Sequence, residues 1–327
     1  MMKQRFRTPV PPLALKGTVS HTTPLLMLGS CFAANIGERL SRELFDVCVN
    51  PFGTLYNPSS IDAAVQRLVS GAPFTAEDIT ERSGIFHCWH CHSSLSSPLG
   101  AEALLRELNS KLEAASAFAA RTQVAILTFG FNKAYRLGNG GMIVANCHKF
   151  PASTFVEENL ELDDCIRYIS STVDALRQLN PDMKIILTVS PVRYTGYGLH
   201  ASAVGKATLL LACEGVANSR EGVIYFPSYE ALNDDLRDYR FYAADMKHPS
   251  DVAVDYIYDI FAESFFDDRT MTIAEKASRL SARLAHRPLC ASDESISSFR
   301  EATLELAGAL SREYPEIIPQ ISKIIAS

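Results

Sequence analysis

Five short apolar runs punctuate the chain: Leu25–Leu28, Phe45–Val49, Val124–Phe129, Lys184–Val189 and Gly222–Phe226. Each ends in a polar or Gly-containing turn. Between them lie stretches with apolar positions three or four apart, at 61–68, 101–118, 155–179 and 203–212, which predict helices. Ser59 with Asp62 and Thr154 with Glu157 have capping-box spacing and predict two helix starts. Strands alternating with helices predict an α/β fold, a three-layer α/β/α sandwich around a mostly parallel five-stranded sheet. Ala134–Cys147 alternates polar and apolar around Gly138, Asn139, Gly140 and Gly141, predicting a β-hairpin insertion. The His- and Ser-rich segment Gly84–Ser97 predicts extended chain. Beyond Asp267 the pattern is helical to Ser327, so the expected division is a core at 1–266 and a helical tail at 267–327.

In such sheets ligands bind beyond the carboxyl ends of the strands. The first run ends at Gly29-Ser30, the second at Asn50-Pro51-Phe52-Gly53, the third at Gly130-Phe131-Asn132 and the fourth at Ser190-Pro191-Val192-Arg193. The fifth leads through Tyr229–Ala244 to Asp245 and His248. A serine at a strand-to-helix turn can expose its hydroxyl, and an Asp and a His three residues apart can supply the orienting acid and the general base. The order Ser, Asp, His is one of several that build this constellation. The competing structural readings are a helix N-cap for Ser30, a capped turn before the 249–265 helix for Asp245 and His248, and a turn glycine for Gly53.

Composition narrows the class. The chain has 327 residues, 47% of them hydrophobic, and a net charge of −6. A chain of this size can bury a full core. Without a Lys/Arg stripe, no nucleic-acid partner is expected. The eight cysteines are scattered, which fits reduced thiols and a cytoplasmic location. No apolar run approaches the ~20 residues of a membrane span. Lys3, Arg5 and Arg7 ahead of Leu28-Gly29-Ser30-Cys31 imitate a lipoprotein signal, but Pro9, Pro11, Pro12, Lys16, His21 and Pro24 break the apolar stretch it needs.

Two motifs point elsewhere. Cys88 and Cys91, flanked by His87, His90 and His92, have the spacing of a zinc half-site that Cys147 and His148 could complete, yet no second Cys-x-x-Cys follows. No metal is expected. Gly205-Lys206-Ala207-Thr208 imitates a P-loop but has Ala207 where Ser or Thr is required and His200 where the first Gly belongs.

Gly29-Ser30-Cys31-Phe32-Ala33 is the signature for which the GSCFA family is named, a bacterial family similar to the GDSL/SGNH hydrolases. Residues 50–58, Ala145-Asn146-Cys147-His148-Lys149, Ser190–Arg193 and 237–242 through Asp245 and His248 also resemble family segments; the likeness covers roughly residues 3 to 265. The resemblance implies an SGNH/flavodoxin-like fold with catalytic Ser30, Asp245 and His248. It implies an oxyanion hole from Ser30, Gly53 and Asn132. The GSCFA pattern does not require Asn at position 132, which leaves Asn146 or His148 as substitutes. Lining of the substrate pocket falls to His92, and Arg193, His200 and Lys206 either hold an anionic group or are solvated. The implied activity is a cofactor-free serine esterase acting on a small O-acyl ester, such as an O-acetyl group on a sugar or envelope glycan. The same residues would serve an O-acyltransferase, and a non-catalytic carbohydrate-binding protein could share the fold.

Overall fold

The computed structural model describes residues 7–138, 140–286 and 293–326. Lys3, Arg5, Asn139, Cys290 and Ser327 lie outside them. The central sheet is five parallel strands: β1 (Leu25–Gly29), β2 (Val47–Val49), β5 (Val124–Phe129), β9 (Lys184–Val189) and β10 (Val223–Tyr225). Their order across the sheet is β10-β9-β5-β1-β2, which is 2-1-3-4-5 counted along the chain. Every residue of β1 and β5 is buried. Burial on both faces is what makes these strands read as unbroken apolar runs.

The chain leaves β1 toward β2, then crosses back to β5 and continues outward. Since parallel crossovers are right-handed, this reversal sends the connecting helices to opposite faces. On one face, Leu25 and Met27 pack with α1 (Cys31–Arg42) and the later α7 (Asp251–Phe265). On the other, Leu26 and Leu28 pack with α2 (Pro58–Ser70), α3 (Ala101–Ala119), α4 (Leu162–Leu179) and α5 (Leu199–Ser219). The crevice between β1 and β5 is the topological switch point, and Ser30 and Gly130 are the residues that follow the two strands.

Several boundaries differ from the sequence pattern. Phe45 is buried but precedes β2, because its N–H closes the end of α1 on the Leu40 carbonyl at 3.0 Å. The α2 cap is Asn57, not Ser59: its Oδ1 accepts the Ser60 N–H at 2.8 Å and Pro58 fills the first helical position. Residues expected to open the fourth helix form β8 (Phe155–Asn159) instead. It pairs antiparallel with β6 (Lys133–Leu137), whose other neighbour is β7 (Ile143–Val144). Arg136 grips Glu158 through two bonds of 2.7 and 3.0 Å, so the pairing needs residues the helix pattern could not see. The true start of α4 is a capping box between Glu161 and Asp164. The His-rich segment forms the second strand of a hairpin, β3 (Ile79–Arg82) with β4 (Ile85–Cys88).

After a single-turn helix α6 (Ser228–Glu230) and α7, the chain continues into α8 (Asp268–Ala285), α9 (Asp293–Glu313) and α10 (Ile318–Ala326). These pack together around Ile273, Leu280, Leu310 and Ile317, and their cluster takes in Leu44 at the end of α1. No helix among the described residues is long and apolar enough to cross a membrane. The seven described cysteines are free thiols.

Gly29 marks the tightest approach in the sheet. Its φ is +142°, and a Cβ there would lie 2.2 Å from the Thr128 carbonyl oxygen. Gly29→Ala is therefore expected to lower the unfolding free energy by more than about 2 kcal/mol, as strain at a special backbone position does. A urea midpoint equal to that of the parent protein would contradict this.

Candidate active site

Ser30 sits where β1 becomes α1. It is 1% exposed, and its Oγ caps the helix by accepting the Phe32 N–H at 3.3 Å. That bond uses one lone pair and leaves the hydroxyl proton free to be given away. The backbone N–H is committed, donating to the Thr128 carbonyl at 3.2 Å. Cys31 lines the same cavity, but burial pushes its thiol pKa up and keeps it protonated, so the hydroxyl has no thiolate competitor beside it.

Asp245 and His248 occupy the tip of a tight turn closed by the Ala243 N–H on the His248 carbonyl at 2.8 Å. His248 Nδ1 lies 2.6 Å from Asp245 Oδ2, while Asp245 Oδ1 accepts the His248 and Lys247 N–H groups at 3.0 Å each. The His248 backbone N–H, then its ring, then the Lys247 N–H hold the Asp245 carboxyl well below the usual carboxylate range. An ionised carboxylate only accepts, so Nδ1 carries a proton, and in the neutral ring Nε2 is the nitrogen left to accept one. The pair is not a helix cap: Ser250 caps α7, its Oγ accepting the Ala253 N–H.

Ser30, Asp245 and His248 line one cavity of about 500 Å³ at the switch point. Aromatic rings wall it: Tyr56 stacks on Phe131 at 5.3 Å, and Phe131 meets Tyr197 edge-on at 6.0 Å. Polar side chains complete the wall, among them Asn146, His148 and Asn57. Asn146 Oδ1 accepts the His148 N–H at 2.8 Å. His148 donates from Nε2 to the Cys88 carbonyl at 2.8 Å, and burial pushes its pKa down to about 4, so Nδ1 remains a neutral acceptor. Asn57 is 4% exposed, and because its Oδ1 is spent on the α2 cap, Nδ2 is the end left to meet the cavity. The chain lays Asn57 beside the switch point by two adjacent ties: Leu55 donates to the Gly29 carbonyl at 2.9 Å, and Gly130 donates to the Tyr56 carbonyl at 2.7 Å.

The pattern that defines the GSCFA family matches residues 24–261, from β1 into α7. The chain belongs to the GSCFA family. A comparison with curated proteins finds no match. Among solved structures the chain is similar to a carbohydrate esterase family 3 protein from Talaromyces cellulolyticus. That likeness has 8% identity and a TM-score of 0.36, over 77% of this chain and 98% of that one.

Within this GSCFA-family chain, Asn146 and His148 join Ser30, Asp245 and His248 in the cavity, but six other sequence candidates fall elsewhere. Gly53 donates its N–H to the Asn50 carbonyl at 2.8 Å, and its φ of +77° lets the chain pass where a Cβ would meet His92 at 2.5 Å. Asn132 Nδ2 donates to the Leu160 carbonyl at 3.0 Å, and its Oδ1 abuts Gly205. The Ser30 N–H is also engaged, and neither Gly53 nor Asn132 is among the residues that line the cavity. His92 packs behind Gly53, its Nδ1 taken by Ser94. His200 is exposed on the first turn of α5, and Arg193 faces a neighbouring pocket.

Lys206 is not a substrate ligand. It is 3% exposed and donates to the Gly130 and Ser190 carbonyls at 2.5 and 2.7 Å, tying the ends of β5 and β9 together. The zinc reading meets a similar geometry. His87 bonds Ser96 at 2.7 Å, His90 meets Asp78 at 2.9 Å and His92 turns to Ser94. Among the described residues no three potential ligands converge. Asn57 also lines the cavity, and its trace in the sequence is an N-cap signal: an Asn before Pro58 and three before Ser60.

Burial pushes the Lys206 pKa from 10.5 down to about 7. Between these values the unfolded chain binds more protons than the native one, so Lys206 makes native stability rise with pH in that window. At pH 8 Lys206→Met is expected to cost about 1–3 kcal/mol by leaving two carbonyls without donors. The gap to the parent protein should widen as pH rises toward 10; denaturant titrations at pH 7 and 9.5 that give equal gaps would contradict it.

Proposed function

We propose that this protein is a serine-dependent ester hydrolase. The observation that carries the reading is the shared cavity: a buried serine hydroxyl at the switch point lines it together with a histidine whose Nδ1 is bound to a carboxylate. In this reading Ser30 Oγ attacks the ester carbonyl as His248 Nε2 takes its proton. His248 then returns that proton to the leaving alcohol, and a water repeats the sequence in reverse to release the acid. Asp245 stabilises the imidazolium formed in both halves. In this reading the Ser30–His248 hydrogen bond forms with substrate in place.

The oxyanion falls to Asn57 Nδ2, helped by the positive end of α1, since the Ser30 and Gly53 N–H groups are spent within the rim and Asn132 is outside the cavity lining. The aromatic wall formed by Tyr56, Phe131 and Tyr197, set against Asn146 and His148, suits the apolar face and hydroxyls of a sugar ring. A small acyl ester on a glycan is the substrate class this favours.

Ser30→Ala and His248→Ala are each expected to lower kcat on an aryl acetate by ~10³-fold or more, with the double variant adding little, because the two groups act as one unit. A fluorophosphonate probe should label Ser30. Near-full activity in a folded Ser30→Ala protein would overturn the assignment. Asn57→Asp keeps an oxygen for the α2 cap but removes the donor. It should lower kcat by ~10²–10³-fold with Tm nearly unchanged; unaltered kcat would remove Asn57 from the oxyanion hole.

A further inference from the structure

A second pocket of about 320 Å³ adjoins the catalytic cavity, and Lys247 belongs to both. Arg193 and Arg237 line it with Lys247, while Asp238 supplies its carboxylate. The two compartments share a wall: Val192 and Tyr194 face the cavity, whereas Arg193 between them faces the annex.

The annex has cationic donors to spare. Arg193 is held by one bond, Nη2 to the Leu199 carbonyl at 3.1 Å, and its Nε has no acceptor among the described residues. Arg237 reaches Asp234 only at 3.8 Å, with both side chains exposed. Asp238 is already engaged, its Oδ1 accepting the Arg240 N–H at 2.9 Å. In a chain whose net charge is −6, three cations lining the annex outnumber the carboxylates of Asp238 in its wall and Asp234 beside Arg237, a local field of the opposite sign. Such a field is suited to gathering an anion in a partly enclosed site.

Position relative to the chemistry decides which part of a substrate would reach it. The leaving oxygen must sit at His248 Nε2 to be protonated, and Met246 and Lys247, the two residues before His248, wall the annex, so an alcohol half lying along this turn would reach it. We propose that the annex is a subsite for a carboxylate or similar oxyanion on the leaving alcohol, read by Arg193 and Arg237. This rests on the serine-esterase reading and adds a substrate class to it: esters of acidic alcohols.

The test compares 4-acetoxybenzoate, with a carboxylate on its leaving phenol, against its neutral methyl ester. The ratio of kcat/KM for the acid over the methyl ester should fall by ~10-fold in Arg237→Gln and further in the Arg193→Gln/Arg237→Gln double variant. Raising salt should shrink the ratio in the parent protein as screening weakens the attraction. A ratio unchanged by the substitutions would overturn the annex while leaving the esterase reading intact. Hydrolysis that survives Ser30→Ala, or no hydrolysis of either ester, counts against the esterase reading. The annex is then judged by calorimetry on the Ser30→Ala protein with 4-hydroxybenzoate and its methyl ester. Binding of the acid that weakens ~10-fold in Arg237→Gln supports it, and equal binding of acid and ester overturns it.

Discussion

The closeness of β1 and β5 at Gly29 governs the rest of the site. With the Thr128 carbonyl where a side chain would begin, the two strands stay in contact to their last residues and Ser30 emerges directly above the seam. The neighbouring segments are then laced to that point through backbone bonds. Asn50 Oδ1 takes the Gly29 N–H at 2.8 Å, Leu55 takes the Gly29 carbonyl, and Tyr56 takes Gly130. Residues from three strand ends become fixed with respect to the serine without any of them belonging to one contiguous element.

The two halves of the site differ in stiffness by construction. Ser30, Asn57 and His148 are nearly fully buried, each with at least one bond to backbone or cap. The side chains of Asp245 and His248 are 45% and 50% exposed, on a turn whose internal bonds hold its shape but which stands at the rim. A buried, well-tied serine wall thus stands against a more exposed Asp-His turn. Tolerances of a fraction of an ångström matter most at the attacking oxygen and the developing charge.

Much of the fold was legible because its signal is local or saturated. Val124–Phe129 and Lys184–Val189 are buried along nearly their whole length, and an unbroken apolar run is what two covered faces leave in a sequence. Asp245 and His248 meet three residues apart, so their contact needs no tertiary information. What escaped was non-local. β8 exists because Lys133–Leu137 lies beside it, and its own residues suit a helix almost as well. Lys206 resembles a surface cation until the carbonyls of Gly130 and Ser190, 76 and 16 residues away, are placed around it. Gly53 and Asn132 stand at the right strand ends, yet the Gly53 N–H is spent on Asn50, Asn132 turns to Leu160, and neither lines the cavity. Asn57 was masked by Ser59, which offers the same capping chemistry two positions later.

Asn57 carries a wider consequence for how this protein can change. Its side chain is a two-terminal device, with an acceptor end that begins α2 and a donor end that meets the cavity. A serine or an aspartate would keep the first terminal, and a glutamine would carry that terminal too far from the backbone. One short carboxamide thus serves both the start of α2 and the polar wall of the cavity, so the length of the side chain at position 57 is set twice over.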